Sequence, residues 1–151
     1  MKKNKNKNKM EMTPIGIAHT RIKDGLDMPL EGVVAKIEVS PGFKQALYRI
    51  EENSHLWILS WFHYAQREVL QVVPMKINPN ADKFGVFAVR SPVRPNPIAL
   101  TLVKLEKKEG NVLYVSGYDG VDGTPILDIK PYIEKDIVRE IITPKIGTRK
   151  E

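Results

Sequence analysis

Ser54-His55-Leu56-Trp57-Ile58-Leu59-Ser60-Trp61-Phe62-His63-Tyr64 is the stretch on which the fold turns. In extended geometry, successive side chains alternate across the strand. Trp57, Leu59 and Trp61 then share one face, and Leu56, Ile58 and Phe62 share the other. Both faces are apolar. That pattern suits a strand enclosed on two sides, by a barrel interior and by a subunit partner. Aromatics that stack on a nucleobase are the functional alternative.

Outward from this strand the chain breaks into short β-like runs. Ile15 to His19, Gly32 to Val39, Leu56 to Phe62, Phe84 to Val89, Ile98 to Leu105, Val112 to Gly117 and Ile126 to Ile129 are rich in β-branched or aromatic residues, which gives about seven strands. Turn signals separate them: Asp24-Gly25, Pro41-Gly42, Asn78-Pro79-Asn80, Glu109-Gly110 and Asp122-Gly123-Thr124-Pro125. Phe43, Ala46, Leu47 and Ile50 carry the spacing of one apolar helix face, so a short helix is expected over Phe43 to Ile50. His63 to Val72 reads equally as a second helix or as a polar connection. Many short strands with few helices favour an all-β, mainly antiparallel fold, and closure into a small barrel removes exposed sheet edges.

The 151 residues suit one domain. The expected layout is a disordered basic tail over 1–12, a single barrel domain over 13–143 and a C-terminal tail over 144–151. The net charge of +6 comes mainly from Lys2, Lys3, Lys5, Lys7 and Lys9, and the rest of the chain is nearly neutral. Such a lysine and asparagine alternation cannot bury a face; it reads as a solvated tail, with electrostatic RNA contact as the functional alternative. There is no cysteine, which excludes disulfides, thiolate metal sites and cysteine nucleophiles. No apolar run approaches the ~18 residues of a membrane span, and no signal-peptide core follows the lysines, so a cytoplasmic protein without membrane attachment is expected. His55 and His63 stand eight positions apart, about 27 Å on a strand, too far to chelate one ion locally, and no metal is expected. Phosphate-cradling and dinucleotide-binding glycine fingerprints are also missing.

Two dense polar blocks are candidates for chemistry. Arg90-Ser91-Pro92-Val93-Arg94-Pro95-Asn96-Pro97 places two guanidiniums among three prolines. Proline fixes its own φ and restricts the residue before it, so this is a stiff loop: either a rigid turn with surface charges or a support for cations that meet a planar anion. In Asp122 to Tyr132, an extended Ile126 to Lys130 puts Asp128 and Lys130 on one face and Leu127 and Ile129 on the other. A structural ion pair and a polar pocket shared with Tyr132 are both open there.

These blocks, in this order and with the opening Pro14-Ile15-Gly16-Ile17, resemble the TsaA/TrmO (YaeB-like) family from about Pro14 to Tyr132. The resemblance implies a non-Rossmann β-barrel methyltransferase that works as a homodimer and uses S-adenosyl-L-methionine. It also implies N6-methylation of threonylcarbamoyl-adenosine at position 37 of tRNA. Carried onto this sequence, the cofactor-binding residues are His63, Tyr64, Arg90, Leu100, Ser116, Gly117, Tyr118 and Asp119. Asp128, Lys130 and Tyr132 are the catalytic candidates, and Arg94 and Asn96 are substrate-facing. The family's Pro-Arg-Gln cofactor contact has no counterpart in Asp24-Gly25-Leu26-Asp27-Met28-Pro29-Leu30-Glu31. A small-molecule methyltransferase on the same barrel and a non-catalytic RNA-binding barrel are the alternatives.

Overall fold

The computed structural model describes residues 9–146. The lysine-rich stretch 1–8 and residues 147–151, parts of the two expected tails, lie outside the described residues. Strands β1 (Gly16–His19), β2 (Val33–Val39), β3 (His55–Trp61), β4 (Gln71–Val72), β5 (Phe84–Gly85), β6 (Ile98–Glu109), β7 (Val112–Tyr118) and β8 (Pro125–Pro131) follow in chain order. Six of them close an antiparallel barrel in the order β1-β2-β7-β6-β3-β8, with β8 returning to β1, while β4 and β5 form a separate two-stranded ribbon. Closure leaves no unpaired edge in the main sheet, as the sequence pattern predicts.

Alternation along each strand fills the interior. Val33, Ala35, Ile37 and Val39 of β2, Leu56, Ile58 and Ser60 of β3, and Ala99, Thr101 and Val103 of β6 point inward and are buried. On β7 the inward residues Val115 and Tyr118 are three apart, a spacing that an unbroken strand cannot provide. A bulge resolves it. The β2–β7 register shifts between Val33 and Ala35, and Gly117 takes φ +87°, the left-handed conformation that glycine adopts without a Cβ clash. A second register shift, where β3 meets β8 beyond Leu59, turns both Ile126 and Ile129 toward the core. Leu127 and Ile129 therefore do not share a simple outer face, contrary to the plain alternation of the sequence.

Two local expectations give way to tertiary contacts. Phe43 to Ile50 is not one α-helix: 3₁₀ turns over Pro41–Leu47 and Ile50–Glu52 are separated by Arg49 at φ +67°. Only Leu47 of the first turn is buried, where it stoppers the lower end of the barrel, so an eight-residue apolar face had too little to pack against. Phe84 to Val89 stays extended only through Gly85. Beyond it, the Arg94 guanidinium takes the carbonyls of Val86 and Val89, and these no longer serve a sheet ladder. His63 to Val72 is a connection that ends in β4, and the described residues contain no α-helix.

The bulge depends on a close backbone approach. Gly32 has φ +75°, and a Cβ placed on it would lie 2.6 Å from the Gly117 carbonyl carbon. Gly32→Ala should therefore combine left-handed strain with a clash against backbone that cannot yield, lowering stability by about 2 kcal/mol or more. Urea denaturation checks this, with Gly42→Ala, where an added Cβ meets open space, as the tolerated control.

Candidate functional site

Because every barrel pairing is antiparallel, the ends of β3 and β7 and the start of β6 share one rim. Tyr118 crosses the barrel just inside this rim. It is completely buried, and its phenol shares a 2.8 Å hydrogen bond with Ser60 Oγ on β3. Burial pushes the Tyr118 phenol well above its usual range, against the Ser60 hydrogen bond and with the nearby Asp119 carboxylate adding to the effect. It is a neutral strut and not a proton acceptor. Gly120 leaves the space this ring needs, since a Cβ there would sit 2.4 Å from the phenol oxygen.

Asp119 is the next residue, and the bulge sends it to the exposed side of the rim. Thr101 Oγ1, on the inward face of β6, donates a 2.6 Å hydrogen bond to Asp119 Oδ1 and fixes the carboxylate. At the end of β3, the exposed His63 and Tyr64 place their rings 3.9 Å apart, tilted by 39°. Ser116, also expected at the site, is tied to Glu106 by a 2.9 Å hydrogen bond on the outer face. Leu100 lies on the outer face of β6, opposite Leu59, and is 44% exposed.

The proline loop joins β6 at this same rim, where Phe62 N–H donates to the Pro97 carbonyl at 2.9 Å. Sequence reasoning passed over its main anchor, Arg67. That guanidinium donates to the Pro95 carbonyl at 2.7 Å and to Asn96 Oδ1 at 3.0 Å, and it lies 5.2 Å from the Trp61 ring. A signal was present: an arginine six residues past a tryptophan, in a segment too polar to be core. Arg94 faces inward onto Val86 and Val89, which makes it a brace inside the loop. Asn96 likewise spends its carbonyl on Arg67. Of the loop's polar residues, Arg90 and Asn96 are exposed.

Asp128 and Lys130 form the expected pair, at 2.9 Å. Tyr132 packs edge-on to Trp57 with ring centroids 5.6 Å apart, and its N–H donates to the His55 carbonyl. His55 begins β3 whereas Trp61 ends it, so Tyr132 stands about 20 Å along the strand from the rim. Within one chain, Lys130 and Tyr132 are not brought together with Asp119. Asp136, which the sequence did not single out, accepts from Trp57 Nε1 at 3.1 Å and from Ile133 N–H. These two hydrogen bonds, the backbone one first, hold its carboxyl below the usual range. Among the described residues no group of three His, Cys, Asp or Glu side chains could hold a metal ion, and no helix is long and apolar enough to cross a membrane.

Comparisons with known proteins place this geometry among relatives. Residues 17–136 match the family model of the tRNA-methyltransferase O N-terminal domain. A probable S-adenosyl-L-methionine-binding protein of Pyrococcus abyssi is 43% identical over 132 residues, covering 84% of this chain and 70% of that protein. A tRNA (adenine(37)-N6)-methyltransferase of Homo sapiens is 46% identical over 102 residues, 67% of this chain but 23% of that enzyme. The crystal structure of TrmO from Pseudomonas aeruginosa superposes with a TM-score of 0.73 at 31% identity, covering 89% of this chain and 61% of that one. The chain thus spans less than two thirds of that solved structure and about a quarter of the human enzyme.

If Arg67 holds the proline loop, Arg67→Ala should loosen 86–97 while leaving the barrel intact. Limited proteolysis should show faster cleavage in that loop, with a stability loss of about 1 kcal/mol or less, since the lost hydrogen bonds are exposed.

Proposed function

Because the chain belongs to the tRNA-methyltransferase O N-terminal-domain family, we propose that it is an S-adenosyl-L-methionine-dependent methyltransferase that methylates N6 of threonylcarbamoyl-adenosine at position 37 of tRNA, in the cytoplasm and as a homodimer. The observation that carries this reading is the convergence, at one barrel rim, of the braced Asp119 carboxylate, the His63–Tyr64 ring pair and the stiffened arginine loop. The groups suit the cofactor's chemistry. Paired rings offer a stacking face to adenine, Asp119 an acceptor for ribose hydroxyls or an ammonium, and Arg90 a donor for a carboxylate.

S-adenosyl-L-methionine supplies a methyl group on a sulfonium, an electrophile that needs no metal. The chain's own residues have the remaining tasks of alignment, exclusion of water and proton removal. Alignment by rigid supports is worth roughly 7–11 kcal/mol in well-oriented reactions. The Tyr118–Ser60 strut and the Arg67 clamp hold the rim and its loop in one arrangement. The substrate nitrogen is a weak nucleophile that loses a proton as the new N–C bond forms. Asp128, already paired with Lys130, is the carboxylate we assign to accept it.

On the same reading, the two copies pair through one face. Ile98, Leu100 and Leu102 face outward on β6 beside Trp61, Leu59 and Trp57, an apolar stripe in the middle of a charged surface. Asp128 lies opposite Leu59 on the other flank of β3. Pairing two copies through this face buries the stripe, with Asp128 beside it on each copy.

Titration calorimetry with S-adenosyl-L-methionine should give saturable binding, weakened at least tenfold by Asp119→Asn; silence at millimolar cofactor favours the non-catalytic RNA-binding barrel. Mass spectrometry of tRNA nucleosides from cells lacking and re-expressing the chain should show methylated threonylcarbamoyl-adenosine return with the gene; an unchanged nucleoside pool favours a small-molecule acceptor. Leu100→Asp should halve the mass found by light scattering, because a charge on each copy would be buried at the centre of the pair.

A further inference from the structure

Outside the rim site, the described surface holds a groove of about 290 Å³ on the flank of the barrel, lined by His19, Thr20, Arg21, Val34, Ala35, Lys36 and Tyr114. Its floor is apolar and its border cationic. Two of the nitrogen groups around it already have carboxylate partners: His19 Nε2 lies 2.7 Å from Glu38, and Lys107 Nζ lies 2.8 Å from Glu109. Arg21 and Lys36 form no salt bridge among the described residues, although Glu109 acts on Lys36 from beyond bonding distance. Lys36 instead rests 5.4 Å from the Tyr114 ring, which Lys107 approaches to 4.4 Å from the opposite neighbouring strand.

We infer that this groove receives a nucleotide of the RNA substrate outside the reacting one, with Arg21 and Lys36 on its phosphate and the side of Tyr114 that Lys36 covers open to its base. The inference rests on the tRNA reading above. An ammonium gains less over a half-buried ring at the surface than in a charge-assisted bond to phosphate, so an arriving phosphate can draw Lys36 off the ring. The vacated face of the ring suits a base, because stacking on aromatics together with cations along the backbone is how sheet surfaces hold single-stranded RNA. Position favours a polymer over a free anion. Lys36 is three residues along β2 from Val33, the partner of Tyr118, so the groove lies roughly 10 Å from the rim, within reach of a neighbouring nucleotide. It also adds two exposed cations beside the candidate site, on a body that is nearly neutral overall.

The test compares the full chain with an Arg21→Gln/Lys36→Gln variant, using fluorescence anisotropy of labelled, unmethylated tRNA between 50 and about 200 mM salt, a range over which phosphate contacts dominate. Both positions are exposed, and calorimetry with S-adenosyl-L-methionine on the same preparations reports an intact rim. The expected result is unchanged cofactor affinity, a roughly tenfold loss of tRNA affinity at the lower salt, and a salt slope shallower by one to two units, close to one per lost phosphate contact. Tyr114→Leu should lower affinity without changing the slope. A wild-type chain that binds tRNA, with a double variant of the same affinity and slope, overturns the inference and spares the tRNA reading. A wild-type chain that binds the cofactor but no tRNA overturns both.

Discussion

The bulge at Gly117 is the constraint from which the rim takes its form. One extra residue in β7 turns Tyr118 into the barrel and delivers Asp119 to the surface, whereas on a regular strand that buries Val115 the two would exchange faces. The bulge exists because Gly32 lets the two backbones meet where its own Cβ would collide, and because Gly117 takes a left-handed φ of +87°. Tyr118 then reaches Ser60, and Thr101 reaches Asp119, so the two hydrogen bonds that fix the site join β7 to β3 and β6. A local departure from sheet geometry thus becomes a rigid corner.

The proline loop is stiffened in two ways that act at different scales. Proline limits its torsions locally. Its place in the molecule is set by arginines that serve as structural donors: Arg94 from within, against Val86 and Val89, and Arg67 from the neighbouring connection, against Pro95 and Asn96. A guanidinium presents several donors in a fixed plane, which suits it to gathering carbonyls that no sheet has taken. The cations that stood out in the sequence therefore divide between bracing, as with Arg94, and exposure, as with Arg90.

Much of the fold was legible in the sequence, because closure of a short-stranded antiparallel sheet follows from alternation and turn spacing. The strand at residues 55–61 is where the pattern placed it, with Leu56 and Ile58 inside and Trp57, Leu59 and Trp61 half-covered outside. The two misread elements share a cause. Phe43 to Ile50 has helical spacing and Phe84 to Val89 has strand composition, yet each is decided by a distant partner: the barrel end that takes Leu47, and the Arg94 guanidinium that takes two carbonyls. Similarly, the pairing of Asp128 with Lys130 followed from period two, while their distance from the rim depended on strand register, which no local pattern encodes.

By itself, the sequence determined that this chain forms an antiparallel barrel with a stiff arginine loop and an acid beside a lysine, because period-two burial, turn residues and proline act over a few neighbouring positions. Only the tertiary structure decided which end of the barrel gathers polar groups, that the Tyr118 side chain is a buried strut, and that Arg67 is the clamp. Those outcomes depend on contacts between residues 18 to 58 positions apart along the chain, between β7 and its neighbours or between a connection and the loop it covers. Register and bulges, which decide such contacts, are set by how the whole core packs.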